Sequence, residues 1–120
     1  MGNITKNFSF SELSCPCGKC SFVDGYRIDR NLVRDLQEIR DHLGKAIKIN
    51  SGLRCDSHNR SVGGVSGSYH LTGRAADIHC TSSIDRRIIV KMALNLGLTT
   101  GIADTLIHLD NRDKGIIFLY

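Results

Sequence analysis

Ser68-Tyr69-His70-Leu71-Thr72-Gly73-Arg74-Ala75-Ala76-Asp77 joins a polar, glycine-rich segment to the start of a strand and carries two residues of metal-binding type. Imidazole and carboxylate are zinc ligands. Three protein ligands with the fourth position open to water suit a catalytic site, because the metal raises that water's acidity. Gly73 lets the chain turn sharply after His70, Ala75 and Ala76 permit close packing, and the strand brings Asp77 back toward the imidazole. A further histidine stands much later, in Ile107-His108-Leu109-Asp110. His70, Asp77 and His108 can supply the three ligands. His79, two residues past Asp77 on the same strand face, is a rival that would give a three-histidine set.

Working outward, Asp29 can cap a helix whose apolar residues Leu32, Leu36, Ile39 and Leu43 recur every three or four positions, with Gly44 as the stop signal. Ile47 and Ile49 alternate with Lys48 and Asn50, which predicts a half-buried strand over Ala46 to Asn50. Residues 51–74 hold Gly52, Gly63, Gly64, Gly67 and Gly73 among serines, histidines and arginines; so polar a segment reads as a long functional loop. Ala75 to Cys80 is a second strand. Ser83 opens a second helix with Ile84, Ile88, Met92 and Leu96 on one stripe, ended by Gly97. Ile107, Leu109 and the run Ile116 to Tyr120 predict two strands joined as a hairpin around Asn111 to Gly115. The first 28 residues read as irregular. Helices and strands mix without a βαβ repeat, so the expected class is α+β, a small single domain with an antiparallel sheet flanked by helices.

The 120 residues, 41% of them hydrophobic, suffice for one core. A chain of this size buries roughly two-thirds of its unfolded surface, so folding requires neither disulfides nor metals. Sixteen basic residues against twelve acidic ones give a net charge of +4, without the basic runs or interleaved aromatics that nucleic acid requires. The serine-rich stretch Asn7 to Pro16 is interrupted by Glu12, so it is neither a signal peptide nor a membrane helix. Synthesis in a cytoplasm and a monomeric state are expected. Five cysteines, an odd number without a secretion signal, disfavour a disulfide framework. Cys15-Pro16-Cys17-Gly18-Lys19-Cys20 offers three thiolates where structural zinc takes four, and Cys55 or Cys80 can complete a second site; buried thiols or one local disulfide are the alternatives.

The string from Ser68 to Asp77 matches Ser-x-His-x-x-Gly-x-Ala-x-Asp and resembles the zinc D,D-carboxypeptidase and peptidoglycan-peptidase family related to vancomycin-resistance dipeptidases. Ser51-Gly52-Leu53-Arg54-Cys55, followed by His58-Asn59-Arg60 and Gly63-Gly64, is similar to that family's Ser-Gly-Tyr-Arg stretch, and Ile107 to Asp110 to its terminal His-x-Asp strand. The resemblance implies the small α+β fold shared with the hedgehog signalling domain. It makes His70, Asp77 and His108 the zinc ligands, leaving His79 at the surface or behind a ligand. Arg54 would hold the scissile carbonyl oxygen or a substrate carboxylate, and Ser68 would stand near the substrate's polar end. A structural ion pair for Arg54 and a turn cap for Ser68 are the competing readings.

Several relatives place the general base three residues before the last ligand, where this chain has Thr105. Asp110, on the strand face of His108, is one candidate base; it can equally serve as the carboxylate partner that orients His108. Asp104, on the turn before that strand, is the rival. His58 is expected to shape the loop and His42 to be solvated. The implied activity is hydrolysis of stem or cross-link peptides in bacterial peptidoglycan by an endolysin-like or virion-associated enzyme that reaches the wall after release. The alternative is a module of the same fold that keeps the zinc and has lost catalysis.

Overall fold

The computed structural model describes residues 4–17, 28–113 and 115–120. Phe10–Leu13 forms a short helix, α1, in the segment expected to be irregular; Glu12 closes its first turn by accepting from the Ser9 N–H at 2.8 Å. Phe8, just before it, and Leu13, its last residue, enter the core. The Asn7 N–H and the Thr5 hydroxyl both donate to Gln37 Oε1, which ties this segment to the next helix.

That helix, α2 (Arg30–Leu43), is capped by the Asp29 carboxylate and stopped at Gly44, as its sequence predicts. It buries Leu32, Val33, Leu36 and Ile39. Strand β1 (Ile49–Ser51) is shorter and later than Ala46 to Asn50. The expected loop contains helix α3 (Asp56–Ser61) and a 3₁₀ turn over Tyr69–Thr72, and it leads into β2 (Ala75–His79). Helix α4 (Ser83–Asn95) begins behind the Ser82 cap.

The stripe expected on α4 is displaced. Ile89 and Ala93 are buried, whereas Ile84 is 74% exposed. A row of residues four apart drifts about 40° around the helix at each step, so Ile84, Ile88, Met92 and Leu96 cannot all face one flat sheet.

Strands β3 (Thr99–Ile102), β4 (Leu106–Asp110) and β5 (Ile117–Leu119) complete a five-stranded sheet in the order β1-β2-β4-β3-β5. The expected hairpin between the last two strands is not formed. Strand β4 already has β2 on one side and β3 on the other, both antiparallel, so the returning chain pairs with the outer edge of β3 and runs parallel to it. Strand β3 escapes a sequence reading because Gly101 interrupts a run too short to show alternation. The α+β class stands, with three antiparallel strand pairings and one parallel. Among the described residues no helix is long and apolar enough to cross a membrane.

Alternation gives the sheet two unlike faces. Ala76, Ile78, Ile107 and Leu109 join the core with α2 and α4, and Asp77, His108 and Asp110 point the other way. Ile89→Ala removes a buried side chain between helix and sheet and is expected to lower stability by about 2–5 kcal/mol in urea unfolding. Ile84→Ala should change it by no more than about 0.5 kcal/mol. Equal losses would restore the stripe read from the sequence.

Candidate metal centre

Register creates the centre. Asp77 on β2 lies directly across from His108 on β4, and His108 Nδ1 is 2.9 Å from Asp77 Oδ1. His70 arrives from the 3₁₀ turn, which ends at Gly73 in the left-handed conformation (φ 71°) that a side chain would disfavour. The chain folds back there, and His70 Nε2 comes to 3.2 Å from the same Asp77 oxygen. The three residues are 1%, 3% and 5% exposed for His70, Asp77 and His108.

The far nitrogens fix both tautomers. His70 Nδ1 is 2.6 Å from the Gly52 carbonyl, which can only accept, so Nδ1 carries the proton and Nε2 is bare toward Asp77. His108 Nε2 is 2.7 Å from the Asp110 carboxylate, which leaves Nδ1 bare toward Asp77 in the neutral ring. Three acceptor lone pairs thus meet at one point, where only a cation or a shared proton relieves their repulsion. Two imidazoles and a carboxylate with ligand atoms all within 4.8 Å of one another fit zinc or a similar transition metal.

The other Asp77 oxygen is held from behind. Oδ2 accepts from Arg54 Nη2 at 3.2 Å and from the Tyr120 hydroxyl at 3.0 Å. Arg54 also donates through Nε to Ser51 Oγ at 2.9 Å and through Nη1 to Asn59 Oδ1 at 3.1 Å. Asn59 in turn donates to the Val65 carbonyl, and a side chain at Gly64 would collide with its amide. Burial and the Asp77 charge push the Tyr120 phenol above its ordinary range, so it keeps its proton and donates. Burial works against the charged form of Asp77; when the facing nitrogens of His108 and His70 carry protons in place of a metal, their hydrogen bonds and charge outweigh it and hold the carboxyl well below the usual range.

The sequence model of one protein family, Peptidase M15, matches residues 6–110. The chain belongs to the Peptidase M15 family. No curated protein matches it. Membership makes the chain a metallopeptidase, and the convergent His70, Asp77 and His108 can hold the metal that such a peptidase needs. The matched span ends at Asp110, so Arg112, β5 and Tyr120 of this M15 peptidase lie beyond it.

The geometry does not favour Asp110 as general base. Its carboxylate is fully buried and accepts from Arg112 Nε at 2.8 Å, Arg112 Nη2 at 2.7 Å, the Arg112 N–H at 3.2 Å and His108 Nε2 at 2.7 Å. It thus contacts the side of the His108 ring remote from Asp77 and orients that ring. Burial opposes its charge, but the Arg112 fork and then His108 overcome this and keep Asp110 ionised. Asp104 is exposed on the turn between β3 and β4, its carbonyl accepting from Arg86, and no contact joins its carboxylate to the cluster among the described residues. Thr105 sits on the same turn.

Arg54 is 6% exposed and pairs with Asp77, as the structural reading expects, and it also lines the cleft, where the substrate-binding reading would place it. Ser68 caps the 3₁₀ turn by accepting from the His70 N–H at 3.2 Å, and it also lines the cleft beside the centre. His79 and His42 are exposed, and His58 lies within α3. Asn59, Arg112 and Tyr120 received no role from the sequence. Arg112 carried a signal, since a cation two residues after Asp110 can fold back onto it. Tyr120 carried none, because its place depends on which strand β5 joins.

Asp110→Asn should weaken zinc binding about 10- to 100-fold, the usual effect of losing a carboxylate behind a ligand histidine. Competition against a chromophoric chelator measures it. Unaltered affinity would remove Asp110 from the support of His108.

Proposed function

We propose that this M15 peptidase is a zinc enzyme that hydrolyses a peptide bond in the stem or cross-link peptides of bacterial peptidoglycan. The observation that carries the reading is the meeting of three bare acceptor atoms beside an open cleft of about 540 Å³. His70 Nε2, Asp77 Oδ1 and His108 Nδ1 would hold the ion. When bound, zinc polarises a carbonyl and brings the acidity of water near neutrality, which supplies the attack on an amide.

The chain's own residues hold that set and shape the groove. Gly52 and Asp110 keep the two imidazoles turned inward, and Arg54 with Tyr120 restrains the outer oxygen of Asp77 so that only Oδ1 is presented. The Tyr120 hydroxyl stands between cleft and cluster as a proton donor. The Arg112 guanidinium lies over the Tyr69 ring at 4.8 Å and the Phe118 ring at 5.8 Å, which makes a firm wall from residues distant in the chain. Val62 and Val65 also line the cleft and give it an apolar surface for peptide side chains. The family and the resemblance of Ser68 to Asp77 support a wall peptide as substrate. The enzyme would reach the wall after release from the cell in which it is made.

A second reading, a zinc-binding module of the same fold without catalysis, rests on one observation. Among the described residues the cluster contains two carboxylates, Asp77 and Asp110, and both are fully engaged.

Purified peptidoglycan digested with the zinc-loaded protein should release fragments whose masses identify the cleaved bond. Chelation should abolish the release and zinc restore it, and His70→Ala should be inactive. No fragment from any wall type would favour the non-catalytic module. At saturating zinc, Asp110→Asn should recover most of its activity, because an orienting residue acts through metal occupancy. A remaining loss on the order of 10²- to 10⁴-fold would return the base role to Asp110.

A further inference from the structure

Cys15 and Cys17 follow α1, and Cys55 caps α3, almost forty residues further along the chain. Their three sulfurs nevertheless lie within 4.8 Å of one another. Cys17 Sγ and Cys55 Sγ are 3.7 Å apart. A disulfide requires about 2.05 Å. Two sulfurs bound tetrahedrally to one zinc at about 2.3 Å stand about 3.8 Å apart. The observed separation is compatible with two ligands on one ion and excludes a disulfide.

Two features make these sulfurs a built set. Main-chain donors point at them: the Cys55 N–H lies 3.5 Å from Cys15 Sγ, and the His58 N–H lies 3.4 Å from Cys55 Sγ. A metal-bound sulfur keeps lone pairs that accept such N–H donors, so this backbone suits a ligand set. The two segments are also joined independently of the sulfurs, because the Leu53 N–H donates to the Leu13 carbonyl at 2.8 Å. The backbone therefore holds the thiols together before any ion arrives.

We propose that Cys15, Cys17 and Cys55 supply three of the four ligands of a second zinc ion, apart from the centre at His70, Asp77 and His108. Thiolates are soft donors and select zinc over calcium or magnesium. Cys80, weighed beside Cys55 as the partner of the cluster, instead directs its thiol to the Ser82 carbonyl. Cys20, the third thiol of the sequence cluster, lies outside the described residues. The ion clamps the N-terminal segment onto the chain that bears Arg54, the immediate neighbour of Cys55. Arg54 donates its N–H to the His70 carbonyl and its guanidinium to Asp77, so the clamp sets the backbone behind two members of the first centre.

Cobalt(II) is the probe, added to metal-free protein kept reduced. Only a thiolate site gives an intense near-ultraviolet sulfur-to-cobalt charge-transfer band, and His70, Asp77 and His108 contain no sulfur. Wild type should show the band and lose it on addition of zinc, and native mass spectrometry should find two zinc ions. His70→Ala should keep the band and bind one zinc. Cys17→Ser should lose or strongly weaken the band and also bind one. The wild-type spectrum decides the matter even if the serine variant does not fold. Absence of the band in reduced wild type, a single wild-type zinc that His70→Ala loses, or a Cys17–Cys55 disulfide surviving in the reduced protein would overturn the proposal. None of these outcomes depends on peptide hydrolysis.

Discussion

The pairing of β2 with β4 is the constraint on which the rest depends. It sets Asp77 opposite His108 on one face and puts Ala76 and Ile78 against Leu109 and Ile107 on the other. A slip of one residue would turn the carboxylate into the apolar core and the isoleucine into the cleft. The hydrophobic register and the register of the ligands are therefore one choice. Burial of the core face by α2 and α4 secures an arrangement of charged groups that would not hold together by itself.

Around that pairing, charge is managed by layers of hydrogen bonds. Burying a carboxylate such as Asp110 is unfavourable unless its oxygens are saturated, and the Arg112 fork, the Arg112 N–H and His108 saturate them. Asp77 is treated likewise by Arg54 and Tyr120 on its outer oxygen. The cleft is consequently bordered by guanidinium groups already committed to internal partners, and these give it rigidity more than free positive charge.

Much of this was legible in the sequence, and the parts that were not share a cause. Helix α2 declares itself through its apolar spacing and its Asp29 and Gly44 ends, and the Ser68 to Asp77 string names a turn, a strand and two of the clustered residues. These are local signals. The partner of β5, the buried face of α4 and the saturation of Asp110 are settled by contacts between distant segments, which no short window contains. Asp110 shows the limit well: its place on the face of His108 follows from alternation, but its separation from the cleft depends on Arg112 folding back upon it.

Both rims of the sheet end in strands of three residues: β1, where the ladder is irregular between Ile49 and Ser51, and β5, where Ile117 and Leu119 are 55% and 88% exposed. An edge strand is a template on which other chains can add, and apolar side chains increase that hazard. So short a rim presents few main-chain groups in line, and an irregular one misaligns them. A protein whose working residues occupy the middle strands is thereby guarded against growth of its own sheet into an aggregate.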